Sequence, residues 1–133
     1  MPQSVVNDGK TYVLTTIGES VFANSTITSV DMPTTVTKIG KEAFHYCMSL
    51  VTVKGTENVD SIMGQAFATC RQMETMDWPK ALKFVGPHAV TYDSSITFDL
   101  YLPRSITLEE GAVEGMFKVG AITLDGQPAY VGA

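Results

Sequence analysis

Residues 39–44 read Ile39-Gly40-Lys41-Glu42-Ala43-Phe44, and a near copy stands one short interval earlier, at Ile17-Gly18-Glu19-Ser20-Val21-Phe22. Three looser copies follow: Ile62-Met63-Gly64-Gln65-Ala66-Phe67, Val85-Gly86-Pro87-His88-Ala89-Val90 and Leu108-Glu109-Glu110-Gly111-Ala112-Val113. The last position moves from 22 to 44, 67, 90 and 113, so the period is 22 once and 23 three times. Self-similarity at a constant short period is the signature of a chain built from one small unit that is stacked on itself.

The copies continue beyond the hexapeptide. A small or sulfur-bearing residue, or an aspartate, stands three positions on (Ser25, Cys47, Cys70, Asp93), and an apolar/polar alternation then reads as a strand: TITSVDMP, SLVTVKGT, QMETMDWP and ITFDLYLP. Pro33, Pro79 and Pro103 close three of these segments, with Gly55 near the equivalent place in the second. Proline has no N–H to give a ladder and glycine permits a corner, so both end strands. An apolar residue then precedes the next hexapeptide: Val36, Val59, Leu82 and Ile106. Each unit is therefore a turn or short helical piece, a strand, a corner and a short extended return. A unit this small cannot bury its own apolar side, but stacked copies bury one another.

On these residues the chain resembles the BspA-like leucine-rich repeat family, whose repeat runs approximately Ile-Gly-x-x-Ala-Phe-x-x-Cys-x-x-Leu-x-x-Val-x-x-Pro-x-x-Val. The second and third copies carry the resemblance most fully, through Ile39, Gly40, Ala43, Phe44, Cys47, Leu50 and Val53, and through Ile62, Ala66, Phe67, Cys70, Met73, Met76 and Pro79. It covers residues 17 to 113 and departs from the family pattern at Met63, Val90 and Val113 and in a longer fourth strand segment. The resemblance implies a curved stack with a parallel sheet along one face, used for protein or cell-surface recognition, with no shared catalytic apparatus. The expected fold is thus a β-rich repeat solenoid of the α/β leucine-rich-repeat kind, with about five coils of 22–24 residues. One domain spans 1–133, with an N-terminal cap over 1–16, repeats over 17–113 and a C-terminal cap over 114–133. Asn7-Asp8-Gly9 and Asp125-Gly126 each stand between alternating runs, so both caps read as hairpins.

Composition is that of a globular chain, with 44% apolar and 17% charged residues. A net charge of −5, with only nine dispersed Lys and Arg, argues against nucleic acid and against an anionic membrane surface. The start, MPQSVVNDGKTYVLTT, has neither a basic region nor an apolar run of secretory type, and no later run is long enough to span a membrane. Two cysteines are too few for a secreted disulfide scaffold. Location stays open between the extracellular or cell surface, which the resemblance favours, and a virion.

No constellation for catalysis is present, and neither a metal site nor a cofactor is expected. Cys47 and Cys70 stand one period apart and so stack in adjacent coils, within reach of a disulfide or of half a metal site with His45; a column of small buried thiols is the favoured reading. His45 and His88 share no repeat position and read as surface histidines on the turn side. Asp93, Ser94 and Ser95 lie near His88 without a nucleophile elbow, and Glu109 and Glu110, adjacent on a strand, point to opposite faces. Asn24-Ser25-Thr26 fits a glycosylation tripeptide, a pattern too common to weigh.

Strand alternation identifies one surface. With Val30, Val53, Met76 and Leu100 inward, the outward set is Ser29 and Asp31, Thr52 and Lys54, Thr75 and Asp77, and Asp99 and Tyr101: short, polar and mildly acidic. Trp78, in phase with Met76, reads as core or corner. The expected function is a non-enzymatic interaction or adhesion module whose strand face contacts a protein or glycan on another surface. The alternative is an assembly subunit, decorating a virion or surface layer through copies of itself.

Overall fold

The computed structural model describes residues 4–7, 10–90, 100–102, 107–108, 122–124 and 127–128, with side-chain surroundings over 13–90, Thr75 apart. Its strands in chain order are β1 (Ser4–Asn7), β2 (Lys10–Val13), β3 (Thr16–Ile17), β4 (Ser29–Asp31), β5 (Lys38–Ile39), β6 (Thr52–Lys54), β7 (Ser61–Ile62), β8 (Thr75–Met76), β9 (Phe84–Val85), β10 (Leu100–Leu102), β11 (Thr107–Leu108), β12 (Ile122–Leu124) and β13 (Gln127–Pro128).

The hexapeptides open on strands. β3, β5, β7, β9 and β11 form a five-stranded parallel sheet that pairs Ile17 with Ile39, Ile39 with Ile62, Ile62 with Val85 and Val85 with Leu108. These are the first residues of the five copies, so the sequence period is the hydrogen-bond register. β4, β6 and β8 form a second parallel sheet with Val30 on Val53 and Val53 on Met76. The molecule is a β-rich repeat solenoid, as expected. The parallel sheet along one face is present, and the segment read as a short extended return supplies a second ladder.

Between the two strands of each coil the chain turns without forming a helix anywhere among the described residues. Alternate N–H groups of the turn point in two directions. Those of Glu42, Phe44 and Tyr46 donate to Gly64, Ala66 and Ala68 of the next coil at 2.8–3.0 Å, while those of Ala43, His45 and Cys47 close i→i−3 turns within their own coil. The same alternation holds one coil earlier, where Ser20, Phe22 and Asn24 donate to Lys41, Ala43 and His45. It requires left-handed backbone twice per coil, at Ser20, Glu42, Gln65 and His88 and again at Asn24, Tyr46 and Thr69, with φ between 53° and 62°.

The core consists of columns one residue wide. Ile17, Ile39, Ile62 and Val85 back the first sheet and Val30, Val53 and Met76 the second, with Ala43, Ala66 and Ala89, Leu50 and Met73, and Val36, Val59 and Leu82 between them, all buried. Phe44 and Phe67 are fully buried, their rings stacked 5.1 Å apart and nearly parallel at 2°, and Phe22 extends the stack at 5.3 Å. Trp78 is 7% exposed at the corner beside the second sheet, in the core as expected.

The ends differ from the middle. β1 and β2 pair antiparallel with Asn7 opposite Lys10, and β12 and β13 pair antiparallel with Leu124 opposite Gln127, so both form hairpins. β12 also pairs parallel with β10, Leu100 on Ile122. The stretch read from the sequence as a C-terminal cap therefore carries one more coil strand before it folds back.

Candidate functional site

The outward strand face is built by alternation. Val30, Val53 and Met76 are 7%, 1% and 6% exposed, whereas Ser29, Asp31, Lys54 and Asp77 face solvent and Thr52 is half-buried. Register pairs Ser29 with Thr52 and Thr52 with Thr75 along the backbone and sets Asp31 beside Lys54. Asp77 follows β8 next to Lys54, its N–H donating to Val53 O at 3.4 Å. Lys54 thus stands between two aspartates, so the charge column alternates in sign. Thr75 and Tyr101 are described by their backbone alone, and Asp99 lies outside the described residues together with Asp93, Ser94, Ser95, Glu109 and Glu110.

The cysteines are buried and free. Each thiol lies against a phenylalanine carbonyl of the preceding coil, Cys47 Sγ to Phe22 O at 3.0 Å and Cys70 Sγ to Phe44 O at 3.1 Å. Ser25 at the equivalent first-coil position instead accepts from the Ile27 N–H at 3.2 Å. A hydrogen bond from the neighbouring Cys70 thiol holds the Cys47 thiol below its ordinary pKa, opposed by burial and assisted by the Ser25 backbone. The pair fills a column, as favoured from the sequence, and among the described residues no group of three or more His, Cys, Asp or Glu is placed to hold a metal ion. No helix among them is long and apolar enough to cross a membrane.

A second surface lies on the turn side and was not anticipated. His45, Tyr46, Gln65, Ala68, Thr69, Arg71 and His88 line an open groove of about 480 Å³. Its origin is a step in side-chain size between coils. His45 and Tyr46 in the second coil are replaced at the same repeat positions, 23 residues on, by Ala68 and Thr69. The two histidines share no repeat position, which is why periodicity did not bring them together. Both line the groove because they flank the buried Ala and Phe positions of their turns on one side of the stack.

Residues 15–132 match the repeat profile described as the BspA type leucine-rich repeat region, in six copies. The chain belongs to the BspA-type leucine-rich repeat family. Solved leucine-rich repeat structures share its fold. The T. pallidum leucine-rich repeat protein superposes with a TM-score of 0.80 at 21% identity, over 92% of this chain and 56% of that one. A leucine-rich repeat protein from Bacteroides ovatus superposes at 0.74 with 25% identity, over 90% of this chain and 32% of that one. A leucine-rich cell surface protein from Faecalibacterium prausnitzii superposes at 0.59 with 22% identity, over 94% of this chain and 46% of that one. The chain thus spans about half the T. pallidum protein and about a third of the B. ovatus one. Among curated proteins none matches.

Proposed function

We propose that the chain is a non-enzymatic interaction module that docks a protein or glycan partner on another surface through the outward face of β4, β6 and β8. Ser29, Asp31, Thr52, Lys54 and Asp77 form that face together with the backbone of Thr75, and on the sequence alone it is extended to Asp99 and Tyr101. The carrying observation is the strict alternation along β4 and β6, which commits the intervening residues to solvent while the core residues beside them are sealed. Leucine-rich repeat membership supports binding as the kind of task, and the F. prausnitzii relative, a cell surface protein, supports a surface location. Three strands of two or three residues present far less than the ~800 Å² per partner of a standard interface. The partner therefore extends beyond these strands onto neighbouring coils, with the alternating charge column setting register more than strength.

The test is binding of labelled chain to a panel of bacterial and host cell surfaces, comparing the native chain with a combined Ser29→Lys, Asp31→Lys and Asp77→Lys variant. Loss of about tenfold in bound chain is expected for a face that loses its complementarity. Undiminished binding by the folded variant contradicts the reading.

A further inference from the structure

The turn-side groove has no part in the strand-face reading, and its chemistry is unlike that of the rest of the chain. Against a net charge of −5, it gathers His45, Arg71 and His88 with no carboxylate in its lining. Arg71 is exposed and makes no ion pair among the described residues. Tyr46 presents 48% of its surface on the rim. Its backbone N–H donates to Ala68 O at 3.0 Å, fixing the turn that carries it, and His45 meets the ring edge-on at 4.5 Å between ring centroids and 71° between planes. Ala68, 4% exposed, forms the floor.

We propose that this groove binds a carboxylate-bearing saccharide. A planar guanidinium takes a carboxylate through paired charge-assisted hydrogen bonds. An exposed aromatic ring offers its face to the C–H side of a pyranose, while Gln65 and Thr69 offer an amide and a hydroxyl to sugar hydroxyls. The volume falls in the range of small-ligand sites. An extended acidic peptide fits less well. Peptides that add to a repeat stack use free backbone groups, but the floor's are spent: Gln65 N–H donates to Pro87 O at 3.0 Å and Ala68 N–H to Gln65 O at 3.2 Å. Recognition here rests on side chains, the arrangement suited to a sugar.

The experiment titrates the full chain with trigalacturonate, its methyl ester and a triglutamate peptide, followed by ¹H–¹⁵N spectra and calorimetry. Saturable shifts confined to residues 45–46, 65–71 and 88 are expected with the acid, with at least about tenfold weaker binding of the ester. Arg71→Gln is expected to weaken the acid about tenfold. Ala68→His, which refills the hollow with the side chain found one coil earlier, abolishes binding, and Lys80→Gln leaves it unchanged. Thermal melts of each variant separate loss of the site from loss of fold, and Arg71→Gln, at an exposed position, keeps the test valid if Ala68→His fails to fold. No saturable response up to ~10 mM, equal binding of acid and ester, an unaffected Arg71→Gln, or equal binding of the peptide each overturns the proposal.

Discussion

At the scale of single residues, the hexapeptide is specified by how closely neighbouring coils approach. A Cβ on Gly40 would stand 2.6 Å from Ile17 O and 2.9 Å from Gly18 C, both backbone atoms that cannot swing aside. A Cβ on Gly64 would meet Pro87 at 3.3 Å, where a slight shift suffices. Gly40→Ala is therefore expected to destabilise by about 1–3 kcal/mol and Gly64→Ala by well under that, as read from urea midpoints at constant slope. Equal losses would contradict the close-approach account. Gly55 is constrained twice over, by a φ of 81° and by the Met32 carbonyl oxygen, which occupies the space of any added Cβ. The glycine positions were legible in the sequence because their occupants recur. The left-handed positions were not, since Ser20, Glu42, Gln65 and His88 share a backbone conformation without sharing a chemistry. Such strain persists only where surrounding structure over-determines it, and here the alternating hydrogen bonds of the turn do so.

At the scale of elements, the aromatic column and the corner hold the coils in register. Phe67 is fully buried and stacked on Phe44, whereas Phe22, at the start of the column, is only partly buried. Phe67→Ala is expected to cost about 3–5 kcal/mol and Phe22→Ala distinctly less, measured by the same denaturation series. At the corner, Thr56 occupies the repeat position taken by Pro33 and Pro79, is fully buried, and gives its hydroxyl proton to Asp77 O of the next coil. Thr56→Val keeps the shape but strands that carbonyl, for an expected loss of about 1–3 kcal/mol. A neutral Thr56→Val would show that Asp77 O finds another donor. Sequence alternation revealed β4, β6 and β8 because the apolar/polar alternation extends beyond each strand into its flanking residues, as in QMETMDWP around β8. The strands of the five-stranded sheet are two residues long and carry no such signal, so they read only as a return segment.

At the scale of the whole molecule, one parallel ladder joins β3, β5, β7, β9 and β11, and a second joins β4, β6 and β8, so that among the described residues each strand of the stack pairs with those of adjacent coils. Stability in such an array is a sum of coil and interface contributions, so the ends open more readily than the centre. The repeat period made the architecture legible, and with it the solvent-facing Ser29, Asp31, Lys54 and Asp77 were legible. The turn-side groove was not, because it arises from differences between copies, Ala68 and Thr69 against His45 and Tyr46, which a search for likeness passes over.

A macromolecular partner is proposed to dock on the outward face of β4, β6 and β8. Backbone deuterium exchange of the full chain, free and bound to a surface partner captured in the cell-panel assay, tests it most directly. The account predicts slowed exchange over 29–31, 52–54 and 75–77, with the turns at 41–46 and 64–69 unchanged. Slowed exchange confined to those turns, with the strand residues unaffected, would contradict it.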